Sequence, residues 1–501
     1  MIVPYHALWG NMIAFDPTLY DPTKAVTMKN GVVIAPAGTD RYNGMVIPGD
    51  AFPDSGKGRF PEATAGVFDY LHRGGSYPDY FSKVRWGQWQ PRAGFAYRIN
   101  EKTVLRAGGG RFFTRLGVSD SVFLGGNPPF QPTANVTFGN ADNPGGLSAN
   151  SLPLTVTTQS RDFKNPEAWN WNVTLERELP WHSIVTAGYV GRRGLHLQRE
   201  SNINQPTLAV VAAAPAGTNL DDLRPFKGYN SIRETDNVAS SRYNALQLTW
   251  NRRFSNGLLF GVVYTYSKVM DDGSNQRDII PDTYYAHNLW GPAEFDTRHV
   301  FIANFLYQLP FFKNQTKLAG KLLGGWQVSG LVQYQSGTPT SVGRGTDYAG
   351  VGVDGSLTGG IGQYWVFNSS GLDYQKTMAH NSGATDANWW VYPFNEGGCN
   401  AVGAGCTLKW SQPAKGTFNH QDGIRDQIYN PGFENWNLGL FKDFKIREAT
   451  GFQFRAEAYD AFNHANWNGV GTDPTNLNTF MKVTGKNGDH RELQLSLRFH
   501  F

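Results

Sequence analysis

The last ten residues, "ELQLSLRFHF" at 492–501, alternate between apolar and polar side chains. Every second position is apolar: Leu493, Leu495, Leu497, Phe499 and Phe501. Because successive side chains of an extended chain point to opposite faces, this pattern predicts a strand with one apolar and one polar face. Such strands must turn their apolar faces toward a protein core or a lipid bilayer.

The same alternation recurs along the chain and predicts about eleven strands. It is clearest in "WNWNVTLE" from Trp169, "LLFGVVYTYS" from Leu258, "WQVSGLVQYQ" from Trp326 and "FQFRAEAY" from Phe452. Less regular segments lie near 83–98, 103–115, 183–197, 242–254, 295–309 and 431–445. Strands of roughly ten residues are typical of outer-membrane barrels, whereas strands of soluble sandwiches usually have about five or six residues.

The connections between these segments alternate between short and long. The short ones are 99–103, 179–182, 255–257, 447–450 and the moderate 310–321, and the long ones are 116–165, 198–241, 271–294, 339–430 and 465–489. Outer-membrane barrels have short periplasmic turns and long extracellular loops. The spacing therefore favours a barrel over a soluble sandwich, which has no reason to sort its loops.

We therefore predict an all-β, antiparallel transmembrane β-barrel in which apolar side chains face lipid and polar side chains face the lumen. Backbone groups in lipid must pair within the protein, so the strands must close into a ring. The lumen-facing candidates are Asn170, Asn172, Thr174, Gln247, Thr249, Gln327, Gln333, Arg455, Glu457, Gln494 and Arg498. They could contact a plug or a passing solute, or they could be polar only because the lumen is wet.

Composition excludes several other classes of protein. Aromatic residues are 14% and charged residues 17% of the chain. No apolar run reaches the 18 or so residues of a spanning helix, which excludes a bundle of membrane helices. The net charge of +4 gives no basic stripe for nucleic acid. The opening "MIVPYHALWG" lacks the features of a secretory signal, so either the chain is cytoplasmic or its beginning is missing.

The only two cysteines, Cys399 and Cys406, lie in the Gly-rich stretch "GGCNAVGAGC". Two neighbouring cysteines in such a loop fit a small disulfide ring in an oxidising compartment. Two free thiols are the alternative, and a metal site is disfavoured because no second Cys or His pair lies nearby.

No motif predicts catalysis or a cofactor. The carboxylates of "MDDGSN" (270–275) lack the ligand spacing of a calcium loop, and we interpret them as the start of a solvated loop. "RAGGGRF" (106–112) lacks the lysine and the following helix of a phosphate-binding loop. We therefore expect no enzyme activity.

The chain resembles the TonB-dependent outer-membrane receptors, specifically the Oar-like group with a carboxypeptidase-regulatory-like N-terminal domain. The resemblance rests on "PRAGFAYRINEKTVLRAGGGRFF" (91–113), "NWNVTLERELPWHSIVTAGYVGRRGLHL" (170–197) and "YNALQLTWNRRFSNGLLFGVVYTYSKVMDD" (243–272). It continues through "FDTRHVFIANFLYQLPF" (295–311), "LLGGWQVSGLVQYQSGTP" (322–339), "PGFENWNLGLFKDFKI" (431–446) and "FRAEAYDAFNHANW" (454–467).

This resemblance implies a barrel of about 22 strands around a plug in the outer membrane of a Gram-negative-type bacterium. It implies energised uptake of a bulky solute such as a glycan, a peptide or a metal chelate. The partners implied are outer-membrane lipid, a TonB-type coupling protein that contacts the plug, and the barrel assembly machinery, which would read the terminal Phe501.

The sequence departs from that plan because no signal peptide, regulatory-like domain, coupling motif or plug is recognisable. Eleven strands would leave two open edges, which lipid does not tolerate. We therefore expect residues 1–82 to be an extracellular loop-like segment after an absent upstream strand, and residues 83–501 to be the C-terminal barrel strands. The alternatives are a smaller complete barrel with a strand hidden in 1–82, a non-transporting adhesin or scaffold, and a soluble carbohydrate-active enzyme.

Overall fold

The computed structural model describes residues 2–115, 123–131, 151–275, 279–286, 289–312, 315, 317–343, 347–352, 363–368, 379–380, 390–391, 410–446, 450–476, 479–483, 485–487 and 490–501. Eleven long strands dominate this part of the chain. They are β1 (Arg92–Asn100), β2 (Thr103–Phe113), β3 (Glu167–Leu179), β4 (Ser183–Asn202), β5 (Tyr229–Ser255), β6 (Leu258–Asp271), β7 (His299–Gln308), β8 (Trp326–Gln335), β9 (Phe433–Lys445), β10 (Gly451–Tyr459) and β11 (Glu492–His500).

These strands form one sheet, here named the wall, in which each strand pairs antiparallel with the next along the chain. The predicted all-β fold, the eleven long strands and the alternation of short turns with long loops are confirmed. Among the described residues, β1 and β11 each pair with one wall strand only, so the wall has two open edges.

Three strand boundaries differ from those predicted. The first strand begins at Arg92 rather than near residue 83, directly after Pro91. At the loop end, β4 and β5 extend well beyond the predicted segments, to Asn202 and from Tyr229. The added residues of β4 and β5 show little alternation of apolar and polar side chains. They lie beyond the apolar part of the two strands and pair with each other there.

Register divides the wall into two faces. Directly paired residues share a face, and one row of such pairs runs through Leu105, Leu175, Ala187, Leu248, Tyr264 and Phe301. We call this side the apolar face and the opposite side the polar face. Large side chains of the apolar face are open to the surroundings, as for Leu497, which is 66% exposed.

Charged residues bound the apolar face at both ends, as β5 shows. Arg252 lies at the turn end and Arg242 at the loop end, with Leu246, Leu248 and Trp250 between them on the same face. This separation matches the roughly 9–11 residues with which a tilted strand crosses a bilayer. The apolar band therefore has the height of a hydrocarbon core.

The connections contain only short elements. The α-helices are Pro61–Ala65, Leu208–Ala213, Leu220–Leu223 and Leu318–Leu323, and the 3-10 helices are Pro17–Leu19, Pro22–Lys24, Asp69–Leu71 and Phe123–Gly126. Within the described part of the chain, none of the helices has the length and apolar character needed to cross a membrane.

The remaining strands are short. The paired ones are Ala14–Phe15 with Met45–Val46, Thr27–Lys29 with Val32–Ile34, Pro339–Thr340 with Ile428–Tyr429, Val366–Phe367 with Trp410–Ser411, and Ala379–His380 with Trp390–Val391. Gly291–Pro292 pairs with the end of β6, and Leu154–Gln159 pairs parallel with the start of β5.

Residues 2–82 pack against the loop end of the wall and form, with Leu154–Gln159 and the start of β5, a unit that we call the cap. Its buried core includes Ile13, Phe15, Met45, Ile47, Leu71, Val156, Tyr229 and Ile232. Hydrogen bonds tie the parts together. The Phe15 N–H donates to Thr158 Oγ1 at 3.1 Å, and the Tyr229 hydroxyl donates to the Asn43 carbonyl at 2.8 Å.

Residues 2–82 are all described and contribute no strand to the wall. The alternative of a hidden wall strand in this segment is therefore wrong. That the segment is extracellular and follows an upstream strand stays a prediction.

Candidate functional site

The polar face is the first candidate site, because register brings all the predicted lumen-facing residues onto it. Asn170, Asn172 and Thr174 of β3 share a face with Gln247 and Thr249 of β5, and the same face carries Gln327, Gln333, Arg455, Glu457, Gln494 and Arg498. They extend across the wall in rows rather than converging on one point. Their role in lining a lumen stays a prediction.

A connected set of side chains on the polar face lies on β9 and β10. Arg455 Nε donates a hydrogen bond to Gln453 Oε1 at 2.6 Å, and Gln453 Nε2 donates to Asp443 Oδ1 at 2.9 Å. The Arg455 guanidinium also lies 5.5 Å from the centre of the Phe441 ring. This chain of contacts orients Arg455, so it presents a positive charge in a defined direction.

A cavity of about 1000 Å³ at the loop ends of β6 to β9 is the second candidate site. Its lining includes Tyr266, Lys268, Trp290, Arg298, His299, Tyr334, Arg425, Tyr429, Glu434, His464 and Trp467. Tyr266, Lys268 and Tyr334 belong to the apolar face by register. The cavity therefore borders mainly on that face and combines aromatic walls with charged groups.

Arg425 organises the floor of the cavity. Its guanidinium is buried and pairs with Asp271 at 2.6 Å and with Asp426 at 3.2 Å. It also donates hydrogen bonds to the carbonyls of Asp271 and Leu289, at 2.7 and 3.2 Å. Burial acts to lower the pKa of Arg425, but the two carboxylates outweigh it and raise the pKa above its usual value. The network joins the loop before β9 to the end of β6.

Asp271 corrects one interpretation made from the sequence. "MDDGSN" reads as the start of a solvated loop, yet Asp271 is only 2% exposed and is neutralised by Arg425. Its partner Arg425 lies more than 150 residues further along the chain, and no local sequence pattern predicts the pairing. Sequence reasoning also missed Arg425, since "GIRDQIY" carries no periodicity that marks a buried arginine.

The other predicted residues are placed as follows. Phe501 follows β11, is 94% exposed, and its ring centre lies 5.9 Å from that of Phe499. Its reading by an assembly machinery stays a prediction. Cys399 and Cys406 lie outside the described residues, and so does their predicted disulfide. In the part of the chain that the structure describes, no cluster of His, Cys, Asp and Glu is arranged to hold a metal ion.

The sequence matches the family described as "Outer membrane beta barrel domain" over residues 2–494. No curated protein matches it. Among solved structures, the chain is similar to the outer membrane transporter YddB from Escherichia coli (11% identity, TM-score 0.38, covering 80% of this chain and 39% of that one). It is also similar to the siderophore receptor PiuA from Acinetobacter baumannii (7% identity, TM-score 0.39, covering 82% and 35%).

The chain spans well under half the length of these two solved structures. The wall and the family match define the class, which is a β-barrel protein of the outer membrane of a Gram-negative-type bacterium. This chain belongs to the outer membrane beta barrel domain family. In such barrels short turns face the periplasm and long loops face outward.

Proposed function

We propose that this chain is the C-terminal barrel part of a TonB-dependent receptor that takes up a bulky solute with energy from the inner membrane. The observation that carries the proposal is the polar face, which continues across all eleven strands of one sheet and would line a wide lumen. The sequence stretches that resemble Oar-like receptors support the same assignment.

In this proposal residues 1–82 form an extracellular segment after an upstream strand, and residues 83–501 complete a barrel of about 22 strands. A plug outside this chain would fill the lumen and contact a TonB-type coupling protein. The solute would be a glycan, a peptide or a metal chelate, captured at the loop side. We expect no covalent chemistry, since the polar residues of the wall are spread in rows and form no nucleophile–base pair.

Energised uptake is tested with the full-length gene. A deletion strain would be grown on a panel of oligosaccharides as carbon source, peptides as nitrogen source and ferric chelates as iron source. We expect growth on one solute to be lost, to be restored by the gene, and not to be restored in cells that lack the coupling protein. Growth on every solute without the gene would contradict the proposal.

A second candidate is a surface barrel without transport, whose loops act as an adhesin or scaffold. The cap favours it, because residues 2–82 build an ordered surface over a core that they share with Leu154–Gln159 and the start of β5. In that case deletion would leave growth unchanged and reduce attachment of the cells to surfaces or to each other. The two readouts are independent, so the same strains separate the two functions.

A further inference from the structure

Unpaired basic residues cluster on the apolar face at the loop end of the wall. Arg193 of β4 and Arg242 of β5 are directly paired in register, and Lys268 of β6 lies diagonally beside Arg242. All three side chains are exposed. We call these three residues the basic cluster. Like charges directly opposite each other on two strands are destabilising, so the cluster calls for an anion.

The described part of the protein does not supply that anion. Among the described residues, no carboxylate forms an ion pair with any member of the basic cluster. A neighbour in the same row shows the contrast, because Arg111 binds both carboxylate oxygens of Glu167 at 2.8 Å. The wall thus neutralises one outward arginine of this row and leaves two others without a carboxylate.

The residues between the basic cluster and the turn end of the wall indicate that the cluster lies at a membrane boundary. Trp171 lies across Gly191, where a Cβ would come within 2.2 Å of the indole ring. Tyr189, Leu246 and Tyr266 form the next row, each more than 40% exposed. The next row toward the turns, with Ala187, Leu248 and Tyr264, carries no charge. Basic, then aromatic, then apolar is the order of a membrane boundary, with aromatic rings at headgroup level.

Lys268 also lines the cavity described above, whereas Arg193 and Arg242 lie outside its lining. Tyr266, Trp290, His299 and Tyr334 give the cavity its aromatic walls, and the charged side chains of Arg298, Arg425 and Glu434 also line it. A ligand with a phosphate at one end and a sugar or acyl body at the other would meet the cations first and the aromatic walls next. A small free anion would leave the cavity unused.

We infer that Arg193, Arg242 and Lys268, together with the adjoining cavity, bind the phosphate groups of a phosphorylated glycolipid of the outer leaflet. This inference rests on the outer-membrane location and not on the proposed transport. A basic side chain near an anionic membrane surface contributes about 1 kcal/mol, or roughly fivefold in affinity. Loss of all three cations therefore weakens binding about 100-fold.

The test uses the full-length protein in detergent, titrated with bisphosphorylated lipid A and followed by native mass spectrometry. The variant carries Arg193→Gln, Arg242→Gln and Lys268→Gln. We expect about 100-fold weaker binding than in the wild type, together with a loss of the salt dependence. The matched control is Arg192→Gln, because Arg192 adjoins Arg193 but lies on the polar face. Its affinity for the lipid should be unchanged.

Three results would overturn the inference. They are equal binding of lipid A without phosphates, an equal loss in the Arg192→Gln control, and complete displacement of lipid A by millimolar inorganic phosphate, which would indicate a site for soluble anions. Folding is checked by the heat-dependent gel migration of the barrel. If the triple variant does not fold, Arg193→Gln and Lys268→Gln are measured singly, each with an expected fivefold loss.

Discussion

The wall and the cap use the same apolar residues in opposite ways. Leu248 of the wall is 37% exposed, whereas Leu71 of the cap is 1% exposed among Ile47, Phe68 and their neighbours. The wall is held by backbone hydrogen bonds between long strands, and the side chains of its apolar face are turned toward lipid. The cap has strands of two to six residues and is held by a core. Burial is therefore a measure of stability only in the cap.

The largest expected difference comes from truncating one leucine in each region. Leu71→Ala should lower the free energy of unfolding of the cap by about 2–5 kcal/mol, because a rigid core keeps the cavity. Leu248→Ala should cost clearly less, since acyl chains refill the space and only the transfer contribution is lost. Hydrogen exchange of cap amides and guanidinium unfolding of the barrel in liposomes measure the two effects. Equal losses would remove the distinction between the regions.

A charge placed on either face of β5 sharpens the comparison within the wall. Leu248→Arg should destabilise the barrel by about 2–4 kcal/mol, the cost of an arginine facing mid-bilayer lipid. Gln247→Arg is the control, because it places the same charge one residue away on the polar face. Its effect on unfolding in liposomes should be small. An equal cost at both positions would contradict the assignment of the faces.

The smallest expected effect is a dependence of stability on pH, which we expect in the cap and not in the wall. Burial lowers the pKa of His72, and the nearby Gly49 carbonyl, 3.2 Å from Nδ1, opposes this only in part. The folded cap therefore binds a proton less readily than the unfolded chain, whose histidine titrates near 6.5. The contribution of neutral His72 to the stability of the cap is complete above pH 6.5. It is lost as the pH falls from there through the lowered pKa of the folded state.

We expect exchange protection of the cap amides to fall below pH 6.5 while that of the wall stays constant. The variant His72→Gln should abolish this pH step even if the cap is weaker at every pH. A step that persists in the variant would assign the titration to another group.

The wall could be predicted from the sequence because the patterns that define its strands are local in the chain. Period-two alternation and loop lengths each lie within one segment, so strand number, order and faces follow without long-range contacts. The cap and the Arg425 network could not be predicted in this way. Phe15 packs on Tyr229, and Arg425 pairs with Asp271, across distances of about 150 to 210 residues that carry no repeating pattern. The cavity could not be predicted for the same reason, since it is built by three separate connections, β6–β7, β8–β9 and β10–β11.

The parallel strand Leu154–Gln159 has a consequence for how the protein reaches its final form. It pairs with Tyr229–Thr235, so the cap takes in one piece from each of three stretches that emerge at different times. Residues 2–82 have no complete interior until Leu154–Gln159 and the start of β5 are in place, because Val156, Tyr229 and Ile232 belong to the same buried core. In a chain cut before Tyr229, the apolar side chains of residues 2–82 would lack part of the core that buries them.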